Sequence, residues 1–106
     1  MEEIVTLLAQ IGFPYAYDHF AEGESPTPPF ICYFCPGSDN FSADGKVYSK
    51  YNNVHIELYN DKKDPSKELT VENVLDTASI FYNKTETWIE SEKLYEVLYS
   101  FYMEVN

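Results

Sequence analysis

Positive charge is what this sequence has least of. Seven basic residues face eighteen Asp and Glu over 106 residues, a formal net charge of −11. So few cations cannot neutralise a run of phosphates, which excludes nucleic-acid binding by counterion release and equally disfavours docking on an anionic membrane. Long apolar runs are missing as well. The longest, Phe30–Phe34, spans a few residues, against about 20 for a bilayer-crossing helix. Glycine is sparse, and Gly12, Gly23, Gly37 and Gly45 stand singly, so no loop can cradle a phosphate. Met1 is followed by Glu2 and Glu3 rather than a basic stretch; the expectation is no secretory signal and a soluble, cytoplasmic chain. The length fits one domain, 1–106, with a modest core.

Aromatic residues are abundant instead: ten Tyr, seven Phe and one Trp. Tyr combines a large apolar face with a polar tip at low entropic cost, which favours strands and protein contacts.

Ile4, Leu7, Leu8 and Ile11 recur at helical spacing, predicting an opening helix over 1–12 that Gly12 and Pro14 stop. A short extended aromatic piece, PYAYDHF, and a Pro-rich loop, Ala21–Pro29, follow. Phe30–Cys35 has strand character, halted by Pro36–Gly37. Asp44–Gly45 signals a hairpin, Lys46–Lys50 the returning strand, and Asn52–Asn53 a bulge or second turn. Val54, Ile56 and Leu58 alternate with His55, Glu57 and Tyr59, one buried and one wetter face. Thr70 is a candidate N-cap for a helix over 71–82, with Val71, Val74, Leu75, Ala78 and Phe81 on its apolar side. Lys84–Glu90 reads as a strand, Glu90–Lys93 as its turn. In the last segment Leu94, Val97, Leu98 and Phe101 would make a helical stripe, but Tyr95, Val97, Tyr99, Phe101, Met103 and Val105 alternate. The Tyr, Phe and Val content favours a long final strand. The predicted architecture is α+β: about five strands in a mostly antiparallel sheet, with two helices packed on one face.

Cys32 and Cys35 form a CxxC (CYFC). As a zinc half-site it needs two further ligands, and neither His19 nor His55 stands at metal-ligand spacing from it. Strand residues three apart point to opposite faces, so the pair neither chelates nor cross-links readily. A thioredoxin-like motif opens a helix, whereas Pro36–Gly37 ends this segment. The expectation is two buried thiols, with no metal and no cofactor. His55 and Glu57 share a face but lack a nucleophile beside them, so no enzymatic activity is expected. Asp39–Asp44 lacks the alternating ligands and distal Glu of a calcium loop.

The acids remain. Glu86, Glu90, Glu92, Glu96 and Glu104 thread through the C-terminal hairpin among Trp88 and the tyrosines. They form either a solvated face over packed aromatics or an exposed sheet that pairs with a neighbouring subunit. The loop NDKKDPSKEL (60–69) gathers Lys62, Lys63 and Lys67, and is a plain charged loop or an arm to a neighbour.

Three stretches, PPFICYFCPGSDNFSADGKVYSK (28–50), VHIELYNDKKDPSKE (54–68) and YNKTETWIESEKLYEVLY (82–99), together resemble the minor tail proteins of tailed phages and prophages of Gram-positive bacteria, the tail terminator or tail completion family. With the opening helix, the resemblance covers nearly the whole chain. It rests on a pattern of strand, charged loop, helix and acidic-aromatic hairpin rather than on a catalytic signature.

The resemblance implies an architectural role. Such subunits form rings, typically hexameric, that cap the finished tail tube and present a surface to the capsid's connector. The implied partners are further copies of the chain, the tail tube protein and the head–tail connector protein, with no membrane and DNA passing without specific binding. The implied location is the host cytoplasm during assembly, then the virion tail or neck. No catalytic residue carries over. Candidate subunit contacts are His55, Glu57 and Tyr59 on one strand, Lys62, Lys63 and Lys67 in the charged loop, and Trp88, Glu90, Glu92, Tyr95 and Tyr99 in the hairpin. A carboxylate-lined channel repels phosphates while DNA slides, and the acidic loops Ser38–Asp44 and Glu22–Glu24 are candidates to line it. Two alternatives are a connector protein of the same neck and a small DNA mimic that inhibits a nucleic-acid-binding protein. The dispersal of the acids among aromatics favours the ring component over the mimic.

Overall fold

The apolar stripe of the opening segment becomes α1, Glu2–Ile11, which buries Ile4, Leu7, Leu8 and Ile11. The structure, a computed structural model, describes residues 2–43 and 46–104. Gly12 ends α1 in the left-handed region, φ 89°, with its N–H on the Leu8 carbonyl at 3.1 Å; a Cβ is unfavourable in that conformation. β1 (Tyr15–Tyr17), β2 (Phe30–Ala43) and β3 (Lys46–Asn60) follow, then α2 (Pro65–Thr77), β4 (Asn83–Ile89) and β5 (Leu94–Glu104). The strands form one sheet in the order β1-β2-β3-β5-β4. Only β1–β2 is parallel; the other pairs are antiparallel.

β3 lies between β2 and β5, and its Val54, Ile56 and Leu58 are at most 1% exposed. Ile31 and Tyr33 from β2, and Val97, Tyr99 and Phe101 from β5, join the same layer, which α1 and α2 cover through Leu8, Val71 and Leu75. The result is the expected α+β layer with both helices on one face. The alternation read for the last strand holds where the structure describes it; Val105 lies outside the described residues.

Three local expectations need correction. β2 does not stop at Pro36–Gly37 but runs through to Ala43. Phe34 pairs with His55 and Gly37 with Asn53, so Cys35 and Pro36 together oppose Val54 in a bulge. That bulge accommodates a residue with no N–H to offer the ladder. Asn52 and Asn53, expected to interrupt β3, instead stay paired on both sides, to Ser38 and Gly37 and to Met103 and Tyr102. Ser38–Ala43, expected as an acidic loop, is strand. The predicted Asp44–Gly45 turn lies outside the described residues.

The second helix begins earlier than Thr70 predicts. Asp64 takes the N-cap position with Pro65 at the first turn, where a missing N–H costs nothing and the ring presets φ. Thr70 sits inside the helix, its hydroxyl donating to the Ser66 carbonyl at 3.2 Å. The helix stops at Thr77. Ser79 adopts φ 59°, and the N–H groups of Ser79 and Ile80 donate to the Asp76 and Leu75 carbonyls at 3.0 Å each, a left-handed C-terminal cap. Phe81 therefore falls beyond the helix and is 96% exposed rather than buried on its apolar side.

β2 and β3 outrun the sheet. β1 covers β2 only at Ile31–Tyr33, and β5 reaches β3 only as far as Tyr51. Past those points the two strands form a ribbon, here called the arm. The radius of gyration, 15.0 Å with extents of 50 × 29 × 23 Å, exceeds the roughly 13 Å of a compact chain this long.

Replacing Ile56 by Ala removes a fully buried side chain from the middle of the sheet. The expected loss is about 2–5 kcal/mol, measured by urea denaturation as a lowered midpoint at constant slope.

Candidate functional site

With Val54, Ile56 and Leu58 turned to the helices, β3 must present His55, Glu57 and Tyr59 on the open face. Their cross-strand partners there are Phe34, Cys32 and Phe30 on β2, with Ser100, Leu98 and Glu96 on β5. The Tyr59 ring stacks on Phe30, centroids 5.3 Å apart, and its hydroxyl donates to Glu96 Oε2 at 2.9 Å. Phe20 meets Phe30 edge-on at 5.4 Å, bringing the loop after β1 over this end of the face. His55 meets Phe34 edge-on at 5.0 Å. Burial, and then the adjacent Glu96 carboxylate, push the Glu57 carboxyl up to about 7. Burial followed by Glu57 pushes the Cys32 thiol up to about 11, which keeps it a neutral, weakly nucleophilic thiol. Cys35, in the bulge, packs against the helix-side core. Both cysteines are thiols. Among the described residues no three His, Cys, Asp or Glu side chains gather as a metal site.

The helix side of the hairpin holds a different cluster. Glu68, buried in the first turn of α2, receives Lys63 and Lys84, each at 2.8 Å. Lys63 also reaches Glu86 at 2.8 Å, and Lys84 reaches Glu72 at 2.8 Å. These bonds, Glu68 first, hold the Lys84 ammonium well above its usual range. Tyr95 donates to Glu86 Oε2 at 2.9 Å and lies under Lys63, 5.8 Å from ring centre to Nζ. Tyr99 is a core residue, fully buried; its hydroxyl donates to Glu72 Oε2 at 2.7 Å. It supports the hairpin from beneath instead of lining its surface. Trp88 Nε1 donates to Glu90 Oε2 at 2.6 Å, and Lys93 closes on the same carboxylate. Glu92 stands exposed in the turn, Lys62 is exposed, and Lys67 lies over the Phe13 ring at 6.0 Å.

The candidates thus divide into two groups on opposite faces. His55, Glu57 and Tyr59 occupy the open face, while Lys63, Trp88, Glu90 and Tyr95 gather on the helix side of the hairpin. Sequence reading did not single out Glu68 and Lys84, and named Glu96 only among the acids of the hairpin; these three organise both groups. Glu96 becomes the partner of Tyr59 only through the β3–β5 register, and Lys84 meets Glu68 only once α2 crosses the sheet. Phe81 juts out beside a shallow apolar groove of about 310 Å³ lined by Leu7, Ala78, Ile80 and Met103, with Glu3 and Thr6 at its rim. Glu22 and Glu24 are exposed on the loop after β1. Among the described residues no helix is long and apolar enough to cross a membrane.

Two substitutions probe these groups. The raised Glu57 carboxyl binds its proton more tightly folded than unfolded, so its favourable contribution is complete below pH 4.5 and is lost as pH rises through 7. Glu57→Gln should therefore raise the melting temperature more at pH 8 than at pH 4, read by circular dichroism. Tyr99→Phe deletes a buried bond to a carboxylate and should cost about 1–3 kcal/mol in chemical denaturation.

No family model matches the sequence, and no curated protein does. Among solved structures, the chain is similar to one described as "Virion of native gene transfer agent (GTA) particle". The TM-score is 0.64 over 93% of this chain and 83% of that one, at 11% sequence identity. At that identity the likeness is one of fold.

Proposed function

We propose that this protein is a structural subunit of a phage-like virion, a tail terminator that closes into a ring on the finished tail tube and offers the head its joining surface. The observation that carries this reading is the likeness, over nearly the whole chain, to a chain of a gene transfer agent virion. The family pattern in the three sequence stretches points the same way. Two physical features suit the role. The open sheet face and the acidic hairpin present aromatic groups beside carboxylates, the mixture that gives orientation as well as affinity between subunits. The formal charge of −11 suits a channel wall along which duplex DNA slides without being gripped. The partners in this reading are other copies of the chain, six to a ring as the family resemblance implies, the tail tube protein below and the connector above.

Electron microscopy of tails assembled with and without the protein tests the role. Tails of uncontrolled length in its absence, restored to one length when it is added, are the expected result. Capped tails of normal length that fail to join heads reassign the protein to the connector. Normal, infectious particles without it overturn an architectural role.

A further inference from the structure

Besides the outer side of the three-residue β1, two longer backbone edges on opposite sides of the sheet lack partners among the described residues. One belongs to the arm: beyond the last β1 pair, Tyr17↔Tyr33, and the last β5 pair, Tyr51↔Glu104, residues 40–43 of β2 and 46–50 of β3 pair only with each other among the described residues. A two-stranded ribbon alone in water is marginal at best; a third strand or a packed face stabilises it. The other edge is β4, outermost in the sheet, exposed from Asn83 to Trp88 and in unbroken register with β5 from Asn83↔Ser100 to Ile89↔Leu94.

Exposed edges are normally blunted by a proline, a bulge, a covering segment or free charges. The β2 edge is guarded in this way, by β1 and then by the bulge at Cys35 and Pro36. β4 has neither proline nor bulge. Its charged residues are engaged inward: Lys84 with Glu68 and Glu72, Glu86 with Lys63 and Tyr95.

Unpaired backbone and charge together point to the occupant. Residues 37–51 contain Asp39, Asp44, Lys46 and Lys50 and are neutral, in a chain whose net charge is −11. The arm thus combines an unpaired backbone edge with zero net charge, and can approach the acidic β4–β5 hairpin of another copy without net repulsion. We infer that the arm of one copy adds to the β4 edge of the next, extending its sheet. Main-chain bonds supply the affinity of such strand addition. Donor and acceptor are different surfaces, so the contact is heterologous and closes into a ring when the rotation between copies permits. This inference rests on the self-assembling reading above and names the contact that makes it.

Amide hydrogen exchange on the full chain tests it, in dilute solution and after assembly by concentration or on tail tubes. Alternate β4 amides should slow about tenfold or more on assembly. A variant with residues 40–50 replaced by an Asn-Gly turn should not assemble alone, yet its β4 amides should slow when intact chain is added. Rings whose β4 amides exchange as fast as in the monomer, or rings formed by the armless variant, overturn this contact and leave the ring reading standing. Failure of the intact chain to self-associate, even on tubes, overturns both. Should the armless variant not fold, exchange in the intact chain decides alone.

Discussion

Burial of one face of β3 is the constraint on which the rest of this structure depends. Val54, Ile56 and Leu58 are almost wholly withdrawn from water by strands on either side and two helices above. Because strand side chains alternate, that burial commits His55, Glu57 and Tyr59 to the opposite face, and a one-residue slip would exchange the two sets. The same register, carried across to β5, sets Glu96 beside Tyr59 and Glu57. An aromatic-acidic surface is thus a consequence of how the core is made.

Charge is distributed with similar economy. In a chain with eighteen acids and seven bases, Lys63 and Lys84 meet around the buried Glu68 and tie α2 to the hairpin. A buried carboxylate left without partners is costly, so these lysines secure the fold. The open face has a different balance. Burial, and then the neighbouring Glu96, raise the Glu57 carboxyl there, a surface suited to a partner that brings its own positive charge or donors.

The two sheet edges complete the picture. One is guarded by β1 and a proline-bearing bulge, the other is straight, and the arm leaves the body of the sheet as an unsupported ribbon. An isolated globular domain has little use for such asymmetry, whereas a subunit that repeats around a ring has a donor and an acceptor. The proposed ring gives both edges a use, and the virion chain compared above shares the fold.

Much of this was legible in the residues themselves. The α1 stripe, the alternation of β3 and β5 and the turn between β4 and β5 follow from side-chain period and local turn chemistry, which depend on near neighbours in the chain. Hence the α+β class and most of the core could be read directly, though Phe81, expected on the buried side of the second helix, is exposed. The candidate contacts were legible as residue types, but Tyr99 shows the limit: its alternation with Val97 and Phe101 marks a buried row, and only the packing of α2 over it supplies Glu72 as the partner for its hydroxyl. The start of α2 at Asp64–Pro65, the passage of β2 through Pro36 and the grouping of Glu68, Lys63 and Lys84 likewise depended on contacts between segments far apart in sequence. Local composition determined which segments are helix or strand and which face is apolar. Which charges meet, and which edges stay open, was decided by the tertiary structure, because those relations exist only after strand register and helix placement are set.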